Sequence, residues 1–284
     1  MKKIAIFGDT SQDLTLDMQE KYGIEILSYQ LQMGEEHYKD QVDIQSREFY
    51  QRMEEYEVLS TGTPNLQDAI DALDKVKAQG AEEAILITSS GKLTGMVQLY
   101  TAMVSSYEGL KLHIFETNQI AASAGLQTIY AAELRDQGKT SEEILQELES
   151  IKKEKDASIF ALFRTLKYII KGGRFNKYKG MLGTFLHINP LLQAVDGEVG
   201  VIGKARGKKK SLQLLVDEVK KYIGDTKDYR IAIFSGNNDK EVEELQKLLK
   251  EEIEKAKMVI VTELTPMLGV HAGPEAIGVS LLRR

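Results

Sequence analysis

The stretch LITSSGKLTGMVQ, residues 86–98, changes in character from strand to turn to helix. It begins as an apolar strand, passes through the turn 89–91, and continues as a helix from near Leu93. This succession is the building unit of α/β sheets, which bind ligands where strands end and helix N-termini present free N–H groups to an anion. Ser90 and Thr94 would then hold a carboxylate or a phosphate. In the alternative interpretation these hydroxyls only cap the helix.

The same alternation runs through the first half of the chain and predicts an α/β fold. Strand-like apolar runs, each followed by a turn and an amphipathic stretch, lie at 4–7, 24–33, 84–88 and 112–115. One helix is predicted to start with Thr63 as its cap and Pro64 in its first turn, and to end at Gly80. Another starts with a capping box formed by Thr140 and Glu143.

A charged helix over 141–155 separates this half from a second α/β set. The second set is predicted to contain a hairpin that turns at Asp196-Gly197. Its other predicted elements are strands at 157–163, 229–236 and 257–264 and helices at 164–173, 209–223 and 239–256. The 284 residues, 42% of them hydrophobic, can form two cores of ordinary size. We therefore expect two α/β domains, 1–156 and 157–284.

Composition narrows the classes of partner. A net charge of -6 gives no general attraction to phosphate backbones, so no nucleic-acid partner is expected. The absence of Cys rules out disulfides, thiol nucleophiles and thiolate metal sites, and fits a reducing cytoplasm. The N-terminal apolar run is too short for a signal peptide, and no window is apolar enough for an integral membrane segment. We expect a cytoplasmic protein.

The sequence also lacks the motifs of several enzyme classes. No Gly-x-Ser-x-Gly elbow, P-loop or Gly-x-Gly-x-x-Gly occurs, so hydrolases, nucleoside triphosphatases and dinucleotide-dependent enzymes lack their usual signatures. The four histidines, His37, His113, His187 and His271, fall in four different elements without the short spacing of metal ligands. We expect neither a metal nor a cofactor.

Hydroxyl-rich turns at strand ends are the first candidates for a binding site. Asp9, Thr10 and Ser11 follow the first strand and are expected to cap the next helix. Ser60 and Thr61 precede the predicted cap Thr63, and their hydroxyls are free to meet a ligand at the edge of the sheet.

Cationic and glycine-rich stretches are the second group of candidates. Arg174 follows Gly172-Gly173, a pair that usually ends a helix. The loop 203–210 carries Arg206 among lysines, and it suits either a phosphate group, an acidic protein surface or plain solvation. His271 lies between glycines in GVHAGPEAIG, residues 269–278, where it either contacts a ligand or occupies a surface turn.

Six stretches, taken in order, resemble the motifs of the DegV family, bacterial fatty-acid-binding proteins that include the binding subunit of fatty acid kinase. They are DTSQDL (9–14), STGTPN (60–65), SGKLTGMVQ (90–98), LKYIIKGGRF (166–175), INPLL (188–192) and HAGPEAIG (271–278). Each motif is weak alone, but six in the same order along nearly the whole chain are specific.

The resemblance implies two α/β domains with a lipid tunnel between them. The tunnel would enclose a long-chain fatty acid, and a fatty acid kinase catalytic subunit would transfer phosphate from ATP to the carboxylate. It implies that Thr61 and Ser90 contact the carboxylate and that His271, Arg174 and Arg206 lie near the head group, the arginines facing the phosphate or the kinase. The binding chain itself is then not an enzyme.

The chain departs from the family pattern at several positions. The serine pair aligns either as Ser90-Gly91 or, with one inserted residue, as Ser89-Ser90. Asn189 replaces a lysine, Glu275 a glycine and Met96 a threonine, changes that would alter head-group or chain-length preference.

A second functional hypothesis is a stand-alone serine hydrolase or esterase acting on acyl substrates. Ser90 would be the nucleophile and His271 the base. No orienting carboxylate and no strained elbow accompany them in the sequence, so this hypothesis ranks below lipid binding.

Overall fold

The computed structural model describes residues 3–175 and 188–284, which contain 13 strands and 11 helices besides short 3₁₀ turns. The strands are β1 (Ile4–Asp9), β2 (Ile24–Leu27), β3 (Gln30–Met33), β4 (Glu36–Lys39), β5 (Leu59–Gly62), β6 (Glu83–Thr88), β7 (Lys111–Glu116), β8 (Ala157–Leu162), β9 (Asn189–Val195), β10 (Glu198–Ala205), β11 (Arg230–Ser235), β12 (Met258–Glu263) and β13 (Ile277–Leu282). The helices are α1 (Leu16–Tyr22), α2 (Ser46–Arg52), α3 (Leu66–Ala78), α4 (Met96–Ser106), α5 (Ala122–Asp136), α6 (Ser141–Glu154), α7 (Lys167–Lys171), α8 (Lys208–Ile223), α9 (Asp239–Leu248), α10 (Lys250–Lys255) and α11 (Pro266–Ala272).

Three sheets form the frame, and the α/β fold class predicted from the sequence is confirmed. The first is entirely parallel, in the order β2-β1-β6-β7. Its central strand β1 is buried throughout, as expected for a parallel sheet with both faces covered. A small antiparallel sheet, β4-β3-β5, lies beside it and places Thr61 opposite Leu31.

The apolar run 24–33 was predicted as one strand, and this prediction is wrong. The chain leaves the first sheet after β2 and enters the small sheet as β3. At the break, the backbone N–H of Tyr29 donates to the Thr10 hydroxyl (3.2 Å), and the Tyr29 carbonyl accepts from the N–H of Asp40 (2.9 Å). These bonds satisfy the Tyr29 backbone outside a continuous strand, so one apolar run serves two sheets.

The second sheet has six strands in the order β10-β9-β8-β13-β11-β12. The predicted β9–β10 hairpin is confirmed, since Asp196 (φ 50°) and Gly197 (φ 81°) both adopt the left-handed conformation of a tight hairpin turn. Strand β13, which lies antiparallel between β8 and β11 near the end of the chain, was not predicted from the sequence.

The helix boundaries confirm one predicted cap and correct another. The capping box of Thr140 and Glu143 is present at the start of α6. Asn65, not Thr63, is the N-cap of α3. Helix α4 starts at Met96 rather than near Leu93, because a turn occupies the intervening residues. The predicted helix 239–256 is divided into α9 and α10.

Helix α5 packs between the first and second sheets, in contact with β1 on one side and with β8, β11 and β13 on the other. Nearly all of its residues are buried, many of them small. One apolar cluster accordingly joins Ile6 and Ile85 of the first sheet to Ala232 and Leu282 of the second. The strands segregate at the predicted boundary of 156/157, but the core is continuous across it, and the two-domain division stays a prediction.

We predict that Gly125→Ala destabilises the protein by about 1–3 kcal/mol, the usual range for overpacking. A Cβ at Gly125 would lie 2.2 Å from the backbone oxygen of Gln12, which cannot move freely. Helix propensity alone favours alanine by about 1 kcal/mol, so the sign of the effect reports the steric contact. The free energy of unfolding in urea measures it, with Ser105→Ala on the exposed face of α4 as control. Unchanged or increased stability of Gly125→Ala would contradict the close packing of α5.

Candidate functional site

An apolar cavity lies on the face of the second sheet that is turned towards α11 and the start of α5. The space between its walls is about 730 Å³, a figure that includes open solvent at its mouth. It is lined by Leu93, Thr94, Ile120, Ala121, Ile159, Ala161, Phe163, Ile169, Arg174, Leu192, Gln193, Ala194, Val199, Phe234, Leu264, Met267, Leu268, His271, Ala272 and Ala276. The polar side chains in this lining are few, so the cavity suits an apolar ligand with a polar end.

The strand register explains the shape of the cavity floor. Leu192, Ala161, Gly278 and Phe234 are consecutive partners across β9, β8, β13 and β11 and therefore share one face of the sheet. Gly278 is required there, because a Cβ would lie 2.3 Å from the ring of Phe234 and equally close to a backbone oxygen of β8. Small residues in the middle of this row leave room above the sheet.

Helix α11 brings His271 to the cavity, where the side chain meets Thr61. The Nε2 atom of His271 and the Oγ1 atom of Thr61 are 3.0 Å apart, although 210 positions separate the two residues. His271 belongs to the last turn of α11 and not to a surface turn. Thr61 does not line the cavity itself, but it is hydrogen-bonded to His271, which does. The fold thus pairs two residues that the sequence singled out separately.

His271 is a neutral side chain at physiological pH. Burial lowers the pKa of the imidazole to about 3, and the nearby positive charge of Arg174 acts in the same direction. In a neutral imidazole one ring nitrogen donates and the other accepts. In the bond to Thr61, Nε2 either donates to the hydroxyl or accepts from it, depending on the tautomer. Nδ1 is buried and has no hydrogen-bond partner among the described residues.

Gly172 encloses His271 from the opposite side. A Cβ at Gly172 would lie 2.1 Å from Nδ1 of His271, so only glycine leaves space for the imidazole. The prediction that Gly172-Gly173 stops a helix is correct for α7, but it does not include this contact with His271. The glycine pair is a sequence signal for a close contact at this position. The residue that makes the contact, His271, lies about 100 positions away and could not be identified from the pair.

Thr94 and Arg174 are the other predicted residues that line the cavity. Thr94 is buried, and its hydroxyl makes a long bond to the carbonyl of Ser90 (3.4 Å). The guanidinium of Arg174 donates to the carbonyls of Leu93 (3.2 Å) and Gly172 (2.6 Å). These bonds hold a partly exposed cation at the rim of the cavity.

Ser90 lies outside the cavity lining and holds the β9–β10 hairpin. Its hydroxyl is fully buried, donates to the carbonyl of Gly197 (2.7 Å) and accepts from the N–H of Lys92 (3.2 Å). Ser89, the other serine of the pair, bonds to the hydroxyl of Ser11 (2.7 Å). A carboxylate contact by Ser90 stays a prediction, and it would require the bond to Gly197 to open.

Asp9 is hydrogen-bonded to Ser11, which also contacts Ser89, and all three side chains are buried. Its carboxylate accepts from the N–H and the hydroxyl of Ser11, which makes Asp9 the N-cap of the 3₁₀ turn Thr10–Gln12. The capping role predicted for Asp9, Thr10 and Ser11 is wrong for Thr10 and Ser11, whose hydroxyls bond to Tyr29 and Asp9. Burial outweighs these bonds and raises the pKa of Asp9 to about 6. The cap of α1 is Thr15 instead.

The predicted hydrolase pair is not assembled. Ser90 is bonded to Gly197, and Nε2 of His271 is bonded to Thr61, so the proposed nucleophile and base have different partners. Nothing in this arrangement favours the esterase hypothesis.

Arg206 lies apart from the cavity, on the exposed turn between β10 and α8.

Within residues 3–175 and 188–284, no group of three or more potential ligand side chains is placed to hold a metal ion. His187 lies outside these ranges. Of the helices described, none has both the length and the apolar character needed to cross a membrane.

Comparison with known proteins places this fold and its motifs in a family. The sequence model of the DegV family, described as uncharacterised proteins, matches residues 3–284. A DegV domain-containing protein of Clostridium acetobutylicum is 30% identical over 285 residues and is covered completely, as is this chain. A DegV domain-containing protein of Staphylococcus aureus is 28% identical, again over the full length of both chains.

Solved structures show the same fold. A DegV family protein from Thermus thermophilus, described as fatty acid binding, superposes with a TM-score of 0.91 at 23% identity, over 99% of this chain and 100% of the other. DegV of Bacillus subtilis, described as a fatty acid binding protein, gives 0.90 at 20% identity with complete coverage of both chains. The family match and the shared fold agree over almost the entire sequence, and the chain belongs to the DegV family.

Proposed function

We propose that this protein binds a long-chain fatty acid, with the acyl chain in the cavity and the carboxylate near His271. The observation that carries the proposal is the composition of the cavity: its walls are apolar, its polar residues are Thr94, Arg174, Gln193 and His271, and Thr61 is bonded to His271. Each buried methylene of an acyl chain contributes about 0.8 kcal/mol. The descriptions of the similar structures as fatty acid binding support the same ligand class.

Donors for the carboxylate would come from side chains. His271 lies at the C-terminal end of α11, where the helix offers carbonyl groups rather than free N–H groups. The Thr61 and Thr94 hydroxyls and a protonated Nε2 of His271 can donate, and Arg174 adds a positive charge at the rim. The neutral state of His271 fits this role, because an imidazole needs no net charge to donate one hydrogen bond.

The finer part of the proposal is presentation of the carboxylate to a fatty acid kinase catalytic subunit. In that reaction a carboxylate oxygen bonds to the γ-phosphorus of ATP as the bond to the leaving ADP breaks, which gives an acyl phosphate. Catalysis would belong to the partner, and this chain would supply the bound substrate. Support comes from the partly exposed Arg174 at the rim and from the exposed Arg206 in a cationic loop.

The direct test of ligand class is to denature the purified protein and identify the released molecules by mass spectrometry. We expect a stoichiometric long-chain fatty acid, because apolar walls with polar groups at one end suit such a ligand. Several preparations with no acyl ligand, together with no binding of added fatty acid, would contradict the proposal.

We predict that Thr61→Val weakens fatty acid binding by about 1–3 kcal/mol, the range for a hydrogen bond to a charged group. The substitution preserves shape and removes both the partner of His271 and a hydroxyl near the carboxylate. Titration with a fluorescent long-chain fatty acid measures the change. The matched control is Ser60→Ala, because the exposed Ser60 hydroxyl bonds to Gln32 and not to His271. Equal affinity of Thr61→Val and wild type would remove Thr61 from the site.

We predict that Arg206→Ala leaves the lipid bound but slows its phosphorylation by the kinase subunit. Arg206 lies outside the cavity lining, so we expect its charge to act on the phosphate or on the partner and not on the acyl chain. The rate of acyl phosphate formation, measured with saturating lipid, reports the effect. Lys153→Ala, which removes an exposed cation from α6, is the control. The same rate for Arg206→Ala and wild type would contradict the kinase-facing role.

A further inference from the structure

The N-terminus of α11 is held by side chains from the other end of the sequence. Thr265, its N-cap residue, makes no side-chain cap bond within the helix. Instead, Asp13 accepts a hydrogen bond from the N–H of Thr265 (3.0 Å), and Asp40 accepts one from the N–H of Met267 (3.4 Å). The Thr265 hydroxyl donates to the carbonyl of Thr10 (2.7 Å). Helix α11 is therefore capped by the half of the chain that contains Thr61.

This arrangement has an energetic cost. Asp13 and Asp40 are 2% and 0% exposed, and each has one oxygen without a hydrogen-bond partner among the described residues. Burial raises the pKa of Asp13 to about 8 and that of Asp40 to about 7, with a neighbouring carboxylate adding to the shift in each case. Apolar residues would avoid this cost but could not accept the N–H groups of α11.

The helix has little freedom to move at its other contacts. A Cβ at Gly269 would lie 2.6 Å from the ring of Phe49, and a Cβ at Gly273 would lie 2.2 Å from the ring of Tyr168. His271 follows Thr265 by six residues, or about 9 Å along a helix. A displacement of the N-terminus of such a short, closely packed helix moves His271 with it.

We propose that Asp13 and Asp40 are positioning residues for ligand binding, which fix α11 so that His271 meets Thr61 at the polar end of the cavity. They do not line the cavity, and they act through the helix. The first half of the chain thus supplies both Thr61 and the two acids that set the distance to its partner. This inference rests on the proposed function, because it assigns His271 to the ligand.

The test is a double-mutant cycle between Asp13 and His271, with the dissociation constant of a fluorescent long-chain fatty acid as the readout. Asp13→Ala should weaken binding about tenfold, within the range for coupled sites, and should add nothing in a His271→Ala background. Asp13→Asn should restore binding to within about twofold of wild type, because the amide oxygen still accepts from Thr265. Coupling and rescue together distinguish positioning from a general loss of stability.

The control is Gln12→Ala. Gln12 is equally buried and lies next to Asp13, but its side chain bonds to Ile87 (2.9 Å) and Thr128 (2.8 Å) instead of α11. Its substitution should lower stability without coupling to His271. If Asp13→Ala does not fold, Asp40→Ala replaces it in the same cycle. The bond from Asp40 to α11 is longer (3.4 Å against 3.0 Å), so its loss should destabilise the protein less.

Two results would overturn the proposal: wild-type affinity in the alanine variant, or the same loss of affinity with and without His271. A wild-type protein that binds no fatty acid would instead refute the proposed function. Failure of the proposed function is therefore seen in the wild-type protein, whereas failure of the positioning role is seen only in the Asp13 variants.

Discussion

The hydrogen bond between His271 and Thr61 is the contact on which the site depends. It joins a short helix of the second half of the chain to a strand of the small sheet in the first half, at the edge of an apolar cavity. The constraints around it are steric and electrostatic. Gly172 leaves space for the imidazole, and burial keeps the imidazole neutral. A charged histidine in this place would have to be desolvated without a counter-ion, which is costly.

The cavity lies between the face of the second sheet and helix α11, and the turns at 93–94 and 120–121 of the first half of the chain complete its walls. Helix α5 contacts both sheets and fixes their separation, while alanine and glycine in the floor of the second sheet leave a depression beneath α11. Apolar walls attract an acyl chain in proportion to its buried area but give it little orientation. In the proposed complex, orientation comes from polar groups, and the lining offers His271, Thr94 and Arg174 besides Gln193 of β9.

Much of the fold could be predicted from local patterns, because strand runs, the Asp196-Gly197 hairpin and the Thr140 capping box depend on neighbouring residues. The predictions failed where distant contacts decide: the run 24–33 divides because Thr10 and Asp40 bond to Tyr29, and β13 forms between strands far away in sequence. In the site, Thr61 and His271 were identified singly, and their pairing required the fold. The roles of Gly172 and of the Ser90 hydroxyl were hidden for the same reason.

The proposed binding mode can be tested with a crystal structure of the protein with a bound long-chain fatty acid. We expect the acyl chain to lie along the floor formed by β8, β9 and β11. A carboxylate oxygen should lie within hydrogen-bond distance of Nε2 of His271 or Oγ1 of Thr61. A fatty acid bound with its carboxylate at the opposite end of the cavity, or bound outside the cavity, would contradict the proposed binding mode.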